Sequence, residues 1–439
     1  MDREAACEFK TIADVDRAVL RVLNDSENRE LASELQLSAF EVPFFTGSPI
    51  LRQLLVLKEF YRRSNAVDTF YIEQGQRNRA ARTNDTSLLH FEAFEASFRE
   101  INEATHQAFR RGHVHKFLDL GFAPGGFATW ILRTNPEAHG VGISLSLKAS
   151  GIQSQIDPRF RERFQECYDD VRRVAAGQVD SGIENLLHGK FDLIIANATI
   201  MLQEDAALWS DRIHLIYAQI LVALQHITSG GSFVISLPMR PFDWVVDIIA
   251  VLQGPSFESI TTVKPKFQAR RSITYLVCQG FRAADREKGV LMDRLRVGIQ
   301  YLENAGGPVN ALSGGTAMLP RLSDVLTQTH MAEQQSFILG FLAPVWHQQY
   351  NAIHEHYQWM LEGGNRRQSS ITMQASAADT ATSWRRQQAP AVQPGGANSP
   401  NWRTRSTEPH GRAQRGRDEG SHHGGTGSGT EGSWRKGLH

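Results

Sequence analysis

One stretch constrains the fold more than any other: residues 116–132, KFLDLGFAPGGFATWIL. A short apolar run, Phe117 and Leu118, closes on the acidic Asp119. Gly121, Phe122, Ala123, Pro124, Gly125 and Gly126 follow as a glycine-rich turn, and Phe127, Trp130 and Ile131 then recur at helical spacing. Strand, tight loop and helix in that order open a doubly wound α/β fold. Gly121 permits the sharp turn and Pro124 stiffens it. Gly125 and Gly126 carry no Cβ and so let the backbone come close to a ligand. The spacing is not the GxGxxG of dinucleotide-binding folds.

From 116 to 280 strand-like and helix-like segments alternate, as in an α/β sheet. Later strands are expected at 139–145, 191–196, 232–237, 257–263 and 273–279. The last two are rich in β-branched residues and suit an antiparallel pair closing the sheet. A helix is expected over 204–227, with Gly230 and Gly231 breaking the chain after it. Phe91, Phe94, Phe98, Ile101 and Ala108 recur at spacings of three and four, which predicts a core-facing helix leading into the first strand. The polar stretch 74–87 before it reads as a loop. Beyond 283, Leu291, Leu295, Ile299 and Leu302 mark one helix, and a second runs from about 322 to 361, interrupted at Pro344.

From 363 to 439 the chain is rich in Ser, Thr, Gln, Gly, Pro and Arg and poor in aliphatics. Such a segment buries too little apolar surface to offset the entropy of ordering, so disorder is expected. Its arginines and isolated Trp384, Trp402 and Trp434 suit either loose RNA contact or an inert solvated tail. The expected division is a helical extension at 1–89, an α/β domain at 90–282, a second helical extension at 283–362 and a tail at 363–439.

The 47 basic and 47 acidic residues cancel, so any nucleic-acid contact must come from a local basic patch. Cys7, Cys167 and Cys278 are odd in number and far apart, which fits a reducing compartment and disfavours a disulfide framework or zinc site. His113 and His115 lack partners at metal-ligand spacing, so no metal is expected. Residues 1–10 lack a signal-like apolar segment, and no apolar run approaches the ~20 residues of a bilayer span. A soluble intracellular protein, cytoplasmic or nuclear, is expected.

The motif DLGFAPGGF resembles motif I of the FtsJ-type RNA 2'-O-methyltransferases, a family with a Rossmann-like α/β sheet. The aspartate, the Pro-Gly-Gly and the following aromatic all match. The resemblance implies that Asp119, Gly121, Phe122, Ala123, Pro124, Gly125, Gly126 and Phe127 form the S-adenosylmethionine (SAM) loop. It adds Ser144 at the end of the second strand, where many such enzymes carry an acid, and Asp169 as the residue meeting the adenine amine. Asn197 is counted with the cofactor contacts too. Asp169 and Asp170 equally suit a solvated helix start.

The same family uses a Lys-Asp-Lys-Glu tetrad to deprotonate a ribose 2'-hydroxyl. The equivalent positions here hold Arg99, Asn197, Ser236 and Ile273. Arginine is a poor proton acceptor, asparagine has no charge, serine is a weak base unless activated, and isoleucine offers nothing polar. Either the correspondence slips at the outer members, or a substitute base comes from Lys264, Lys266 or Asp192, or the protein binds without fast chemistry. Lys264, Lys266, Arg270 and Arg271 form the densest basic run of the folded part and suit RNA phosphates. The expected function is SAM-dependent RNA ribose methylation. The alternative is a catalytically silent SAM- or RNA-binding interaction module.

Overall fold

The computed structural model describes residues 9–70, 83–149, 151–200, 209–305, 319–323 and 331–362. The strands are β1 Lys116–Leu120, β2 His139–Ser144, β3 Phe164–Tyr168, β4 Phe191–Ala196, β5 Ile227–Pro238, β6 Phe257–Val263 and β7 Ile273–Phe281. They form one sheet in the order β3-β2-β1-β4-β5-β7-β6. The first five are parallel, and β7 runs antiparallel to both β5 and β6. The strand order reverses at β1, so the turn after Asp119 stands at the switch point where open α/β sheets bind ligands.

Burial on both faces explains the near-continuous apolar strands. On one face Leu118, Leu120, Ile235 and Leu237 pack under α9 Trp209–His226 and α10 Asp243–Val251. The same core takes in the N-terminal helices α1 Ile12–Asp25, α2 Asn28–Glu34, α3 Val42–Gly47 and α4 Pro49–Arg62. It also takes in α11 Asp285–Ala305 and α12 Met331–Leu361. On the other face Phe117, Ile195, Val234 and Val277 pack under α5 Thr83–Ala104 and α6 Gly126–Thr134. The short α7 Val171–Ala175 and α8 Ser181–Leu187 complete the α/β alternation.

Local chemistry sets several element ends. Thr11 and Asp14 form a reciprocal capping box at the start of α1. Ser48 accepts from the Leu51 N–H, with Pro49 in the first turn of α4. Three features differ from the sequence reading, and two expected helix starts fall in or next to residues outside the described part. Helix α5 begins at Thr83, inside the stretch expected to be a loop. Helix α9 begins at Trp209, and residues 201–208 lie outside the described part. Gly230 and Gly231 do not end β5: they sit in a register irregularity, Gly230 at φ +75, while pairing runs from Phe191–Ile227 to Leu193–Ser232. Helix α12 passes through Pro344 without a break. Proline there removes one helical hydrogen bond, but Leu342, Val345 and Trp346 are buried and Trp346 Nε1 donates to the Met239 carbonyl at 2.7 Å. That helix begins at Met331, with 324–330 and the whole 363–439 tail outside the described residues.

The helical extensions reach the loop between β6 and β7. Lys58 of α4 donates to Ser272 Oγ at 2.7 Å, and Gln349 of α12 donates to the Arg270 carbonyl at 2.9 Å. Both hold the β6–β7 loop. Among the described residues no helix is long and apolar enough to cross a membrane.

Candidate cofactor and acceptor site

Asp119 shares its face of β1 with Phe117, beneath α5 and α6. Its relative exposure is 1%, and among the described residues neither carboxylate oxygen has a hydrogen-bond partner. Burial alone pushes its pKa up to about 8. A buried carboxylate without a partner costs stability unless something supplies the missing donor.

Gly121 has φ +83, the sharp turn expected of it, while the clearance at Gly125 and Gly126 has a different cause from the one expected. A Cβ on Gly121 would stand 2.4 Å from the Ala198 backbone, and one on Gly126 would stand 2.3 Å from the Phe91 carbonyl oxygen of α5. One on Gly125 would stand 2.3 Å from Ile156 Cγ1, and Gly125 also has φ +108. The missing side chains therefore admit the protein's own atoms. Gly126 lets α5 cross α6 closely, and Gly125 lies under the segment that follows β2. Phe122 and Phe127 are core residues. Phe122 lies against Phe164 and Tyr168, with ring centroids at 5.5 and 6.0 Å, and Phe127 lies against Phe94, Phe98 and Tyr275. Their rings do not line an open site. The Ala123–Pro124 peptide is cis, and the Pro124 carbonyl accepts from the Gln155 N–H at 2.8 Å.

Ser144 and Asp169 fall at neighbouring strand ends, since Ser144 pairs with Tyr168 in the β2–β3 ladder. Asp169 accepts from the Asp170 N–H at 2.7 Å and lies 3.7 Å from Arg173. Asp170 caps α7 and pairs with Arg172, whose guanidinium helps hold that carboxyl below its ordinary value despite burial.

On the acceptor side the sheet brings together Asn197 and Ser236 and leaves Arg99 apart. Tyr275 of β7 joins them: it pairs with Ser236 across the β5–β7 ladder, and its hydroxyl donates to Asn197 Oδ1 at 3.2 Å. Tyr275 is fully buried, and burial raises its pKa, so its hydroxyl stays protonated. The bond occupies the Asn197 oxygen and leaves an amide nitrogen with no lone pair for a proton. Ile273 sits at the end of β7 opposite Pro238. Arg99 is exposed on α5, with no hydrogen bond to Asn197 or Ser236. Sequence reasoning passed over Tyr275 because an aromatic residue in an apolar strand reads as core packing.

The basic loop is only partly available. Lys264 is buried, and its ammonium donates to the Arg271 and Ile273 carbonyls, both at 2.6 Å. It staples the loop, so it contacts neither phosphate nor proton. Asp192 accepts the His115 and Lys116 N–H groups at 2.8 and 3.0 Å, at the strand ends remote from the motif I turn, and is no substitute base. Arg271 stacks over Phe267 at 5.2 Å, Arg270 is half-buried, and Lys266 is exposed while its N–H donates to Glu100.

Residues 98–281 match the model of the FtsJ-like methyltransferases. This segment is similar to the FtsJ-like methyltransferases. Its fold is similar to that of a Plasmodium falciparum chain described as a ribosomal RNA methyltransferase, at 19% identity and TM-score 0.32, over 43% of this chain and 98% of that one. It is also similar to an rRNA methylase of Streptococcus thermophilus, at 13% identity and TM-score 0.26, over 38% and 87%. A Streptococcus mutans methyltransferase in complex with SAH is similar at 11% identity and TM-score 0.30, over 42% and 98%. No curated protein matches the chain.

Proposed function

We propose that the FtsJ-like domain binds SAM at the C-terminal ends of β1, β2 and β3 and methylates RNA, with a ribose 2'-hydroxyl as acceptor. One observation carries the reading: the unpartnered, fully buried Asp119 carboxylate suits a ligand with a cationic end, such as the α-ammonium of SAM. Ser144, Asp169 and the backbone of 121–126 would complete the hold. Bound there, SAM supplies an electrophilic methyl group on its sulfonium.

The chain's own residues then have to position the acceptor and dispose of its proton. Lys266 and Arg270 flank the acceptor side and suit RNA phosphates. Asn197 donates to the acceptor oxygen and orients it, but takes no proton. With no base at Asn197, Ser236 or Ile273, the proton leaves to solvent, and transfer is slower by the ~10²–10⁴-fold that general-base catalysis contributes.

A second reading, binding without transfer, is favoured by the neutral groups at Asn197, Ser236 and Ile273. Titration of the full chain with SAM, followed by radiolabelled methyl transfer to total RNA, separates the two. Ribose-linked label appearing at below about 0.1 per second supports methylation. Binding with no label supports the second reading, and absence of SAM binding removes both.

A further inference from the structure

The loop between β6 and β7 carries Lys266 and Arg270, and its backbone is held one carbonyl at a time. The Arg270 carbonyl accepts from Gln349 Nε2 at 2.9 Å, and the Arg271 carbonyl accepts from Lys264 Nζ at 2.6 Å. The Ser272 carbonyl accepts from the Met239 N–H at 3.1 Å, and the Ile273 carbonyl from Lys264 Nζ at 2.6 Å. The Ser272 hydroxyl accepts in turn from Lys58 Nζ at 2.7 Å.

Two of these holds come from helices outside the segment 98–281. Lys58 belongs to α4 and Gln349 to α12, and the two helices pack through Tyr61, His356 and Tyr357. Gln349 is 1% exposed. An amide that deep costs stability unless its polar atoms are used, and an apolar side chain would fill the place without that cost. Its nitrogen is spent on the loop backbone at Arg270 and also reaches Ser272 Oγ at 3.5 Å. Trp346, one turn earlier on α12, holds the Met239 carbonyl at the end of β5 in the same way. Helix α12 therefore fixes both chain segments where β5 meets β7.

We infer that Gln349, with Lys58 beside it, is a positioning residue for RNA: it sets the backbone from which Arg270 reaches a phosphate. The inference rests on the RNA reading given above and adds to it the part played by the helical extensions. Arginine carries its fork on a long, rotatable stem, so freedom left in the backbone beneath it is entropy lost on binding. A loop held at four successive carbonyls has already given up that freedom. Neither Gln349 nor Lys58 needs to touch RNA for this role, because each acts through the loop.

The test is a double-mutant cycle on the full chain, with a fluorescently labelled single-stranded RNA read by anisotropy. Gln349→Leu removes the hold and changes no charge, so a loss of affinity cannot come from a lost cation. Arg270→Ala removes the proposed phosphate contact. Gln349→Leu is expected to weaken RNA binding roughly fivefold on its own and by less than about twofold when Arg270→Ala is already present, because the two act as one unit. Each single variant should also flatten the dependence of log affinity on log salt by about 0.7, the share of one phosphate on a single strand. Equal losses in both backgrounds, or RNA binding by Gln349→Leu as tight as that of the unmodified protein, overturn the inference and leave the RNA reading standing. Ser272→Ala, also uncharged, removes the hydroxyl that Lys58 holds and takes the place of Gln349→Leu in the cycle if that variant does not fold. If the unmodified protein binds no RNA, the RNA reading fails and the positioning role fails with it.

Discussion

Replacing Asp119 with asparagine should stabilise the free protein and weaken its SAM binding. The Asp119 carboxyl titrates at about 8 in the folded chain, against 3.8 for an ordinary aspartate. Between those values the unfolded chain has lost a proton that the folded chain keeps. Stability therefore falls as pH rises from about 4 to about 8 and is level above. At pH 7 the interval from 3.8 corresponds to roughly 4 kcal/mol of lost stability. Asparagine keeps the shape and has no charge to bury, but leaves an amide of its own unpaired, at a cost of about 1–3 kcal/mol. The net gain should be about 1–3 kcal/mol at pH 7 and about 3–5 kcal/mol at pH 8–9, shrinking to nothing or reversing near pH 4. Urea denaturation of both proteins at pH 4, 7 and 9 measures it. A stability difference that does not change with pH would refute the reasoning, because it would mean that Asp119 already has a partner. SAM titration of the same variant should show at least a tenfold loss of affinity.

Gly125→Ala should destabilise by about 2–3 kcal/mol, from the left-handed backbone and the clash with Ile156, and adding Ile156→Ala should return about half of that in urea melts. Tyr275→Phe should cost about 1 kcal/mol through the lost bond to Asn197, measurable in the same melts. His356 accepts or donates at 2.7 Å with Tyr61, and burial, aided by Arg270, lowers its pKa to about 2. Below pH 6.5 the unfolded chain gains a proton there that the folded chain refuses. Docking of α12 on α4 should thus weaken by up to about 2 kcal/mol between pH 6.5 and 5, read as acid-induced exchange of α12 amides. Asn197→Asp, Ser236→Lys and Ile273→Glu together should raise methyl transfer to RNA at least tenfold in single-turnover assays; an unmodified protein already turning over at about 1 per second or faster would contradict the account of the acceptor side.

Much of the architecture was legible because strand and helix periods are local. The FDLIIA run is β4 to the residue, and the β-branched pair closing the sheet is β6 and β7. The departures have tertiary causes. Pro344 was read as a helix break, and the burial of Trp346 and its neighbours carries the helix through. Lys264 was read as a phosphate contact because a lysine in a basic run looks solvated, yet two carbonyls of its own loop claim it. Gly125 and Gly126 read as ligand clearance in the sequence, and that clearance is taken by Ile156 and α5. No pattern in the sequence announces which chain segment will return to lie over a glycine. Nor does it announce that Asp119 is left without a partner, since that depends on every group packed around it.

On the proposed reading Asp119 exchanges its proton for the cationic end of SAM. Calorimetric titration of SAM into the full chain at pH 7, in two buffers of different ionisation enthalpy, counts protons directly. The account predicts release of close to one proton per SAM bound, roughly 0.9 from a group titrating near 8, and none in Asp119→Asn. SAM binding without proton release, or binding equally tight in Asp119→Asn, would contradict it.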